Sequence, residues 1–232
     1  MGLTTMVIMT LSLADELVLL AYDDAGSVRV EAQRLAYGLG GALLMDLMLA
    51  ERVAVPDHRV AVTDPNPTGD PLLDHALARI GADRRGRKPK NWVGPLSKGV
   101  HEQVLDRLVN AGVLRREDQK VLWVFPTTRF PSASGGEPLP EGEIRRRLLA
   151  AADGTGPVDP RTAALCALVR ALSMEAIAVP DRPKREVRER FKTIVETSWP
   201  ADAVRKAITE MEAAVGVAVS AAITTTITTG SN

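Results

Sequence analysis

Residues 67–77 read PTGDPLLDHAL, in which a short turn runs into the start of a helix. The leading proline and glycine favour the turn, and a side-chain oxygen of Thr68 or Asp70 can accept hydrogen bonds from the first N–H groups of the helix. Apolar residues then recur at helical spacing through residues 72–80. Capping therefore accounts for Asp70 and Asp74 without a catalytic role.

On the N-terminal side, this segment is preceded by a hairpin and two helices. Short runs at Arg52–Val55 and Arg59–Thr63 flank a turn and predict two strands. Leucines at helical spacing predict a helix over Leu11–Tyr22, with Ser12 as its N-cap. A second apolar helix is predicted over Ala32–Leu49. It contains three glycines, for which we favour close backbone packing over room for a ligand: Gly38, Gly40 and Gly41.

On the C-terminal side, a second hairpin and further helices follow. A helix over Val104–Asn110 leads to predicted strands at Val113–Arg115 and Lys120–Phe125, with a turn at Glu117-Asp118. Helical spacing and an apolar C-terminal run predict four more helical segments: Glu143–Ala152, Thr162–Ala178, Lys184–Glu196 and Ala213–Ile223.

The breaks between these elements have the composition of loops between packed helices. We therefore predict one mainly helical domain over residues 1–232, with residues 1–10 as a loose tail. The apolar start lacks a basic region and does not have the pattern of a signal peptide. A cytoplasmic location fits this reading.

Overall composition excludes several classes of function. Basic and acidic residues number 29 each, so no net charge draws the chain to nucleic acid or to an anionic membrane, and any attraction must be local. Cys166, the single cysteine, rules out an internal disulfide and lies in an apolar run that favours a buried thiol. The histidines lack metal-ligand spacing. We predict no catalytic residues, no metal site and no cofactor.

A basic run is the clearest local charge feature, and Trp92 follows it directly. Its cations are Arg84, Arg85, Arg87, Lys88 and Lys90. Such a run is either a solvated loop or an anion site in which cations attract phosphate while the adjacent tryptophan rests at a membrane interface.

The second hairpin is apolar on both faces across Val121, Leu122 and Trp123, whereas a half-buried strand alternates. One explanation is burial on both sides or in an oligomer interface. The other is an apolar tip that contacts lipid or a partner protein.

Several stretches together resemble the Golgi phosphoprotein 3 family. Residues 67–77 are close to the family pattern PTGDxLLDxAL, and LADELVLL at 13–20, GLGG at 38–41 and LVNAGVL at 108–114 continue the match. The resemblance extends over roughly residues 11–223. It implies a helical bundle wrapped by amphipathic helices, with two short β-hairpins.

The resemblance also implies a function. Members are non-enzymatic adaptors that bind phosphatidylinositol 4-phosphate on a basic face, and the second hairpin contributes to membrane contact or self-association. Eukaryotic members retain glycosyltransferases in the Golgi. By this resemblance the partners are an anionic phospholipid or phosphoinositide at a membrane surface, on its inner face.

The positions of the family headgroup site depart from its pattern of one Trp and three Arg. The Trp position falls on Glu31, one Arg position on Gly40, and the other two on Lys98 and His101. Each lost charge-assisted contact costs about 1.5–3 kcal/mol, so affinity falls by orders of magnitude unless the basic run compensates or the ligand differs. Residues 1–10 lack the basic character of the family's coat-binding tail, so coat binding is not expected, and the composition is compatible with a bacterial relative.

A winged-helix nucleic-acid-binding protein is the alternative interpretation, because a helix followed by a hairpin resembles that motif. The helix before the wing carries only Arg107 as a cation, and the chain is neutral overall. Nucleic acid is therefore not an expected partner.

Overall fold

The computed structural model describes residues 11–121, 125–199 and 202–229. Within these ranges the chain forms ten α-helices and two small antiparallel sheets of two strands each. The predicted mainly helical fold class is confirmed. The helices are α1 (Leu13–Ala21), α2 (Ala32–Leu49), α3 (Pro71–Gly81), α4 (Lys90–Ser97), α5 (Val100–Asn110), α6 (Leu139–Asp153), α7 (Pro160–Ala171), α8 (Glu175–Ala178), α9 (Lys184–Thr197) and α10 (Asp202–Thr229).

The first hairpin pairs β1 (Val53–Ala54) with β2 (Ala61–Val62) around a 3-10 turn at Pro56–His58. It lies where the sequence predicts it, with shorter strands. The second pairs β3 (Glu117–Val121) with β4 (Phe125–Arg129).

The central helix of the bundle is α2, which packs against α1, α4, α7 and α10. Its glycines permit these close approaches. A Cβ atom at Gly40 would collide with the carbonyl oxygen of Val93 in α4, and one at Gly41 would collide with Val215 in α10. The interpretation of these glycines as packing residues is confirmed.

Both predicted helix caps are present. The Ser12 hydroxyl accepts a hydrogen bond from the N–H of Asp15 at 3.2 Å, and the Asp15 carboxylate accepts from the N–H of Ser12 at 2.7 Å. This reciprocal capping box fixes the start of α1. The Asp70 carboxylate accepts from the N–H of Leu72 at 2.8 Å and caps α3.

The strands and the turn of the second hairpin lie at other residues than predicted. The strand predicted at Val113–Arg115 is wrong: there, Leu114 makes only an isolated bridge with Ser132. Glu117-Asp118, predicted as a turn, lies inside β3, where the Asp118 carboxylate accepts a hydrogen bond from the Thr128 hydroxyl across the ladder. Polar cross-strand pairs extend this hairpin beyond its apolar portion.

One helical prediction also needs correction, and one helix was not predicted. The helix predicted over Thr162–Ala178 is divided into α7 and α8, because Ser173 adopts a left-handed conformation with φ of 55°. Helix α4, which contains Pro95, was not predicted. None of the described helices is both long enough and apolar enough to cross a bilayer.

Candidate functional site

The junction of α4 and α5 brings together two of the predicted headgroup residues. Lys98 is the C-cap of α4, and Gly99, in a left-handed conformation with φ of 72°, is the N-cap of α5. Glycine adopts this φ without strain, and Lys98 and Gly99 alone connect the two helices. Lys98 is exposed there, and His101 lies in the first turn of α5.

The N-terminus of α5 gives this junction a favourable field for anions. Among the described residues, no side chain caps the helix. The N–H groups of a first helical turn carry partial positive charge, and they bind phosphate and carboxylate groups in many proteins. Lys98 adds a full positive charge beside them, while Glu102 in the same turn opposes it.

His101 is held by Tyr22 at the end of α1. Its Nε2 lies 3.1 Å from the Tyr22 hydroxyl oxygen, and the two ring centroids are 6.0 Å apart. Burial lowers the pKa of His101, although Glu102 acts in the opposite direction. Burial also raises the pKa of Tyr22 to about 12, which keeps its hydroxyl protonated. His101 is thus a hydrogen-bonding group, and at neutral pH a weaker cation than a free histidine.

The base of the second hairpin contacts the same tyrosine. The Phe130 ring packs edge-on against Tyr22 at 6.0 Å between centroids, and the Phe130 N–H donates to the carbonyl of Gly26 at 2.9 Å. The junction and the foot of the hairpin are therefore neighbours. Of the apolar residues predicted at its tip, Val121 ends β3, whereas Leu122 and Trp123 lie outside the described residues.

The basic run lies at the other end of α4, on the first hairpin. The N–H of Val60 donates to the carbonyl of Arg87 at 2.9 Å, and the Arg59 guanidinium donates to the carbonyl of Arg85 at 3.2 Å. Arg87 pairs with Asp83 at 3.0 Å and lies 5.1 Å from the centroid of the Trp92 ring.

The remaining cations of the run are exposed, whereas Trp92 is only 2% exposed. The suggested position of this tryptophan at a membrane interface is therefore wrong, because its ring belongs to the core. The exposed cations are Arg84, Arg85, Lys88 and Lys90.

The structure does not gather all the predicted cations into one pocket. Helix α4 has eight residues and hence a length of about 12 Å. Lys98 and His101 lie at its C-terminal end, and the basic run lies at its N-terminal end. The two groups of predicted cations are therefore separated by the length of α4.

The other two family headgroup positions have structural roles. The Glu31 carboxylate caps α2 by accepting from the N–H groups of Gln33 at 2.8 Å and Arg34 at 2.7 Å. Gly40 is buried against α4. An arginine at position 40 would require α2 and α4 to move apart.

The family-like sequence stretches instead build a network of buried ion pairs around α1. Arg107 of α5 pairs with Asp15 at 2.7 Å and with Asp70 at 2.6 Å, and it donates to the Ser12 hydroxyl at 2.7 Å. The single cation of the supposed recognition helix is therefore paired within the protein, which further weakens the nucleic-acid interpretation.

A second part of this network forms around Glu16, the next residue of α1. Glu16 pairs with Arg147 at 2.9 Å and with Arg161 at 3.0 Å. Arg161 also approaches Asp46 at 3.3 Å, and the Asp46 carboxylate accepts from the N–H of Leu13 at 2.8 Å. Burial raises the pKa of Asp46 to about 7, against the opposing effect of Arg161. Local sequence patterns cannot reveal the pairs that Arg147 and Arg161 form with Glu16 and Asp46, since the partners are more than 100 residues apart.

The cysteine and the other two histidines lie away from the α4–α5 junction. The Cys166 thiol is fully buried, and burial raises its pKa, which confirms the packing interpretation. His58 contacts Glu210 and His75 is exposed. Within the part of the chain that the structure describes, no group of three or more metal-ligating side chains comes together.

These features define a helical domain, organised around buried ion pairs, with an exposed cation at an uncapped helix start. Comparison with known proteins identifies its family. The sequence model of the family described as Golgi phosphoprotein 3 (GPP34) matches residues 13–211, and the chain belongs to this family.

A curated relative is similar to this chain over part of its length. Vacuolar protein sorting-associated protein 74 of Eremothecium gossypii is 29% identical over 168 residues, which cover 60% of this chain and 48% of the relative. The chain thus spans about half the length of that relative. The comparisons give no support to a bacterial origin.

Proposed function

We propose that this protein is a non-enzymatic adaptor that binds the surface of a membrane by recognising a phosphorylated lipid headgroup. Phosphatidylinositol 4-phosphate is the candidate ligand, because it is the ligand implied by the family. The observation that carries the proposal is the position of Lys98 beside the uncapped N-terminus of α5.

At this junction a phosphate group accepts hydrogen bonds from the first N–H groups of α5 and pairs with Lys98. His101 supplies a further donor when its ring is protonated or when its tautomer places a hydrogen on the outer nitrogen. Tyr22 holds the imidazole in place. Lys98 and His101 supply fewer cations than the three arginines of the family pattern, and no tryptophan accompanies them. Affinity for the headgroup at the junction is therefore weaker than the full family pattern would give.

The basic run compensates by acting over a wider area. The run reaches the N-terminal end of α4, and the helix axis separates that end from the junction by about 12 Å, which is beyond one Debye length at physiological ionic strength. We assign its four exposed cations to contact with the same bilayer. Each cation near an anionic leaflet contributes about 1 kcal/mol. We assign Val121, Leu122 and Trp123 to membrane contact or self-association at the hairpin beside the junction.

Vesicle co-sedimentation tests this proposal. Wild-type protein is expected to sediment with phosphatidylcholine vesicles that contain phosphatidylinositol 4-phosphate, and less with phosphatidylcholine alone. Lys98→Glu is expected to reduce this binding at least tenfold, because it replaces an attractive contact with a repulsive one.

The matched control is Lys192→Glu, which makes the same charge change at an exposed position on α9. It is expected to leave vesicle binding close to that of the wild type. Equal binding by wild type and Lys98→Glu would refute the junction as the headgroup site.

A further inference from the structure

Three arginines surround a cavity of about 430 Å³ between α2, α7, α9 and α10. They are Arg34 of α2, Arg170 of α7 and Arg188 of α9, and Gly216 of α10 also lines the cavity. We propose that this cavity, hereafter the arginine pocket, is a second anion site that binds a phosphate group. It shares no residue with the α4–α5 junction or with the basic run.

The charges around the arginine pocket do not balance. Arg170 pairs with Glu212 at 2.8 Å, and Glu212 is the single carboxylate among the described residues that line the cavity. Arg188 pairs with Glu175, which is fully buried behind it. Arg34 forms no ion pair with a carboxylate in the described part of the chain. The pocket therefore has an excess of positive charge, centred on Arg34.

Capping of α7 explains part of this arrangement. A terminal nitrogen of Arg34 donates to the carbonyl of Leu172 at 3.4 Å, and one of Arg188 donates to the carbonyl of Arg170 at 3.2 Å. Cations at the C-terminal end of a helix stabilise its exposed carbonyl groups. This role uses one nitrogen of each guanidinium.

Capping leaves other donors without a partner. The Nε–H groups of Arg34 and Arg170 are buried, and neither has a hydrogen-bond acceptor among the described residues. Buried donors in folded proteins are almost always paired. A ligand that draws either side chain slightly into the cavity would supply the missing acceptor.

Phosphate is the anion that this geometry fits. The planar guanidinium presents two parallel donors that match the oxygens of a phosphate group. Three arginines from three helices converge on a volume in the range of small-molecule sites. Gly216 leaves part of that volume open, since a Cβ atom there would meet nothing within 4 Å. The ligand is therefore a phosphate monoester or inorganic phosphate.

Calorimetric titration tests the proposal with inorganic phosphate and with inositol 1,4-bisphosphate, at constant ionic strength set by sodium chloride. The wild type is expected to bind saturably. Arg34→Gln is expected to weaken binding about tenfold or more, because it removes one charge-assisted contact. Gly216→Leu keeps every charge and is expected to abolish binding at this pocket by filling it.

Arg185→Gln on the exposed face of α9 is the charge control and is expected to bind like the wild type. Circular dichroism checks that each variant folds. If Arg34→Gln fails to fold, Gly216→Leu still tests the pocket. The proposal is overturned if titrating the wild type with phosphate gives no more heat than titrating it with sodium chloride at the same ionic strength. It is also overturned if Arg34→Gln and Gly216→Leu both bind phosphate like the wild type.

Vesicles of phosphatidylcholine with phosphatidylinositol 4-phosphate distinguish the two sources of phosphate. Loss of both soluble-ligand and vesicle binding in Gly216→Leu identifies a lipid headgroup as the ligand. Loss of soluble-ligand binding alone identifies a free phosphate compound. Because Lys98→Glu alters only the junction and Gly216→Leu only the arginine pocket, the two proposals fail independently.

Discussion

The hydroxyl oxygen of Tyr22 lies 3.1 Å from Nε2 of His101 and joins the end of α1 to the first turn of α5. The same tyrosine packs against Phe130 at the foot of the second hairpin. One side chain therefore connects the proposed headgroup site with the hairpin beside it. The consequence is that the protonation of His101 and the position of the hairpin foot depend on a shared contact.

Acidic pH is expected to strengthen headgroup binding through His101. Burial lowers the pKa of His101 below its usual value of about 6.5, so the ring is mostly neutral at pH 7 and gains its charge only at lower pH. Co-sedimentation with phosphatidylinositol 4-phosphate vesicles at pH 5.5 and pH 7.5 should show this increase in the wild type.

His101→Gln is the matched variant, because it keeps a hydrogen-bonding side chain that does not titrate. Any remaining pH dependence in this variant belongs to the lipid phosphate. If wild type and His101→Gln change equally with pH, His101 does not contribute.

Restoring the family arginine at position 40 is expected to destabilise the fold instead of improving binding. Even Gly40→Ala places a Cβ atom against the Val93 carbonyl, and overpacking of this kind costs about 1–3 kcal/mol. Gly40→Arg should cost at least as much. The measurement is the free energy of unfolding from denaturant titration.

Gly216→Ala is the control for Gly40→Ala, since it is also a glycine inside a helix but has open space around it. It is expected to be neutral or to stabilise the protein by up to about 1 kcal/mol through helix propensity. A Gly40→Ala variant as stable as Gly216→Ala would contradict the tight contact between α2 and α4.

Local sequence rules predicted most of the fold. The caps at Ser12 and Asp70, the glycine packing in α2 and the amphipathic α9 all follow from short-range spacing, and the structure contains each of them. The errors occur where tertiary contacts override local signals. Glu117-Asp118 was predicted as a turn, but it lies inside β3, where Asp118 pairs with Thr128 across the ladder.

The candidate site was less predictable because its geometry depends on distant contacts. The family resemblance predicts Lys98 and His101 as headgroup residues, but it does not predict that Tyr22, 79 residues before His101, hydrogen-bonds the imidazole. Nothing in the local sequence of Arg34, Arg170 and Arg188 indicates that three helices bring them around one cavity.

Loss of Arg107 is expected to be one of the most damaging single changes in this chain. The Arg107 side chain pairs with Asp15, which is 1% exposed, and with Asp70. Removing one partner of a buried pair leaves a charge without compensation and costs about 3–5 kcal/mol. Arg107→Gln should therefore lower the free energy of unfolding by about that amount.

Arg146→Gln is the appropriate comparison, because it removes an exposed pair with Glu143. Exposed pairs are screened by solvent and contribute little to stability, so the free energy of unfolding should hardly change. Similar losses in the two variants would show that the Arg107 network does not stabilise the native state.

Asp46 is expected to make the protein less stable as the pH rises from about 4 to about 7. Burial raises the pKa of Asp46 to about 7 from the 3.8 of an unperturbed aspartate. Between these values the folded chain holds a proton that the unfolded chain has released, so folding binds protons and is favoured by low pH. The slope contributed by one such group is at most about 1.4 kcal/mol per pH unit.

Asp46→Asn cannot titrate at this position and should remove this contribution. The measurement is the difference in unfolding free energy between wild type and variant at pH 4.5, 5.5 and 6.5. Parallel curves for wild type and variant across that range would mean that Asp46 is already ionised in the fold, held by Arg161 and the Leu13 N–H.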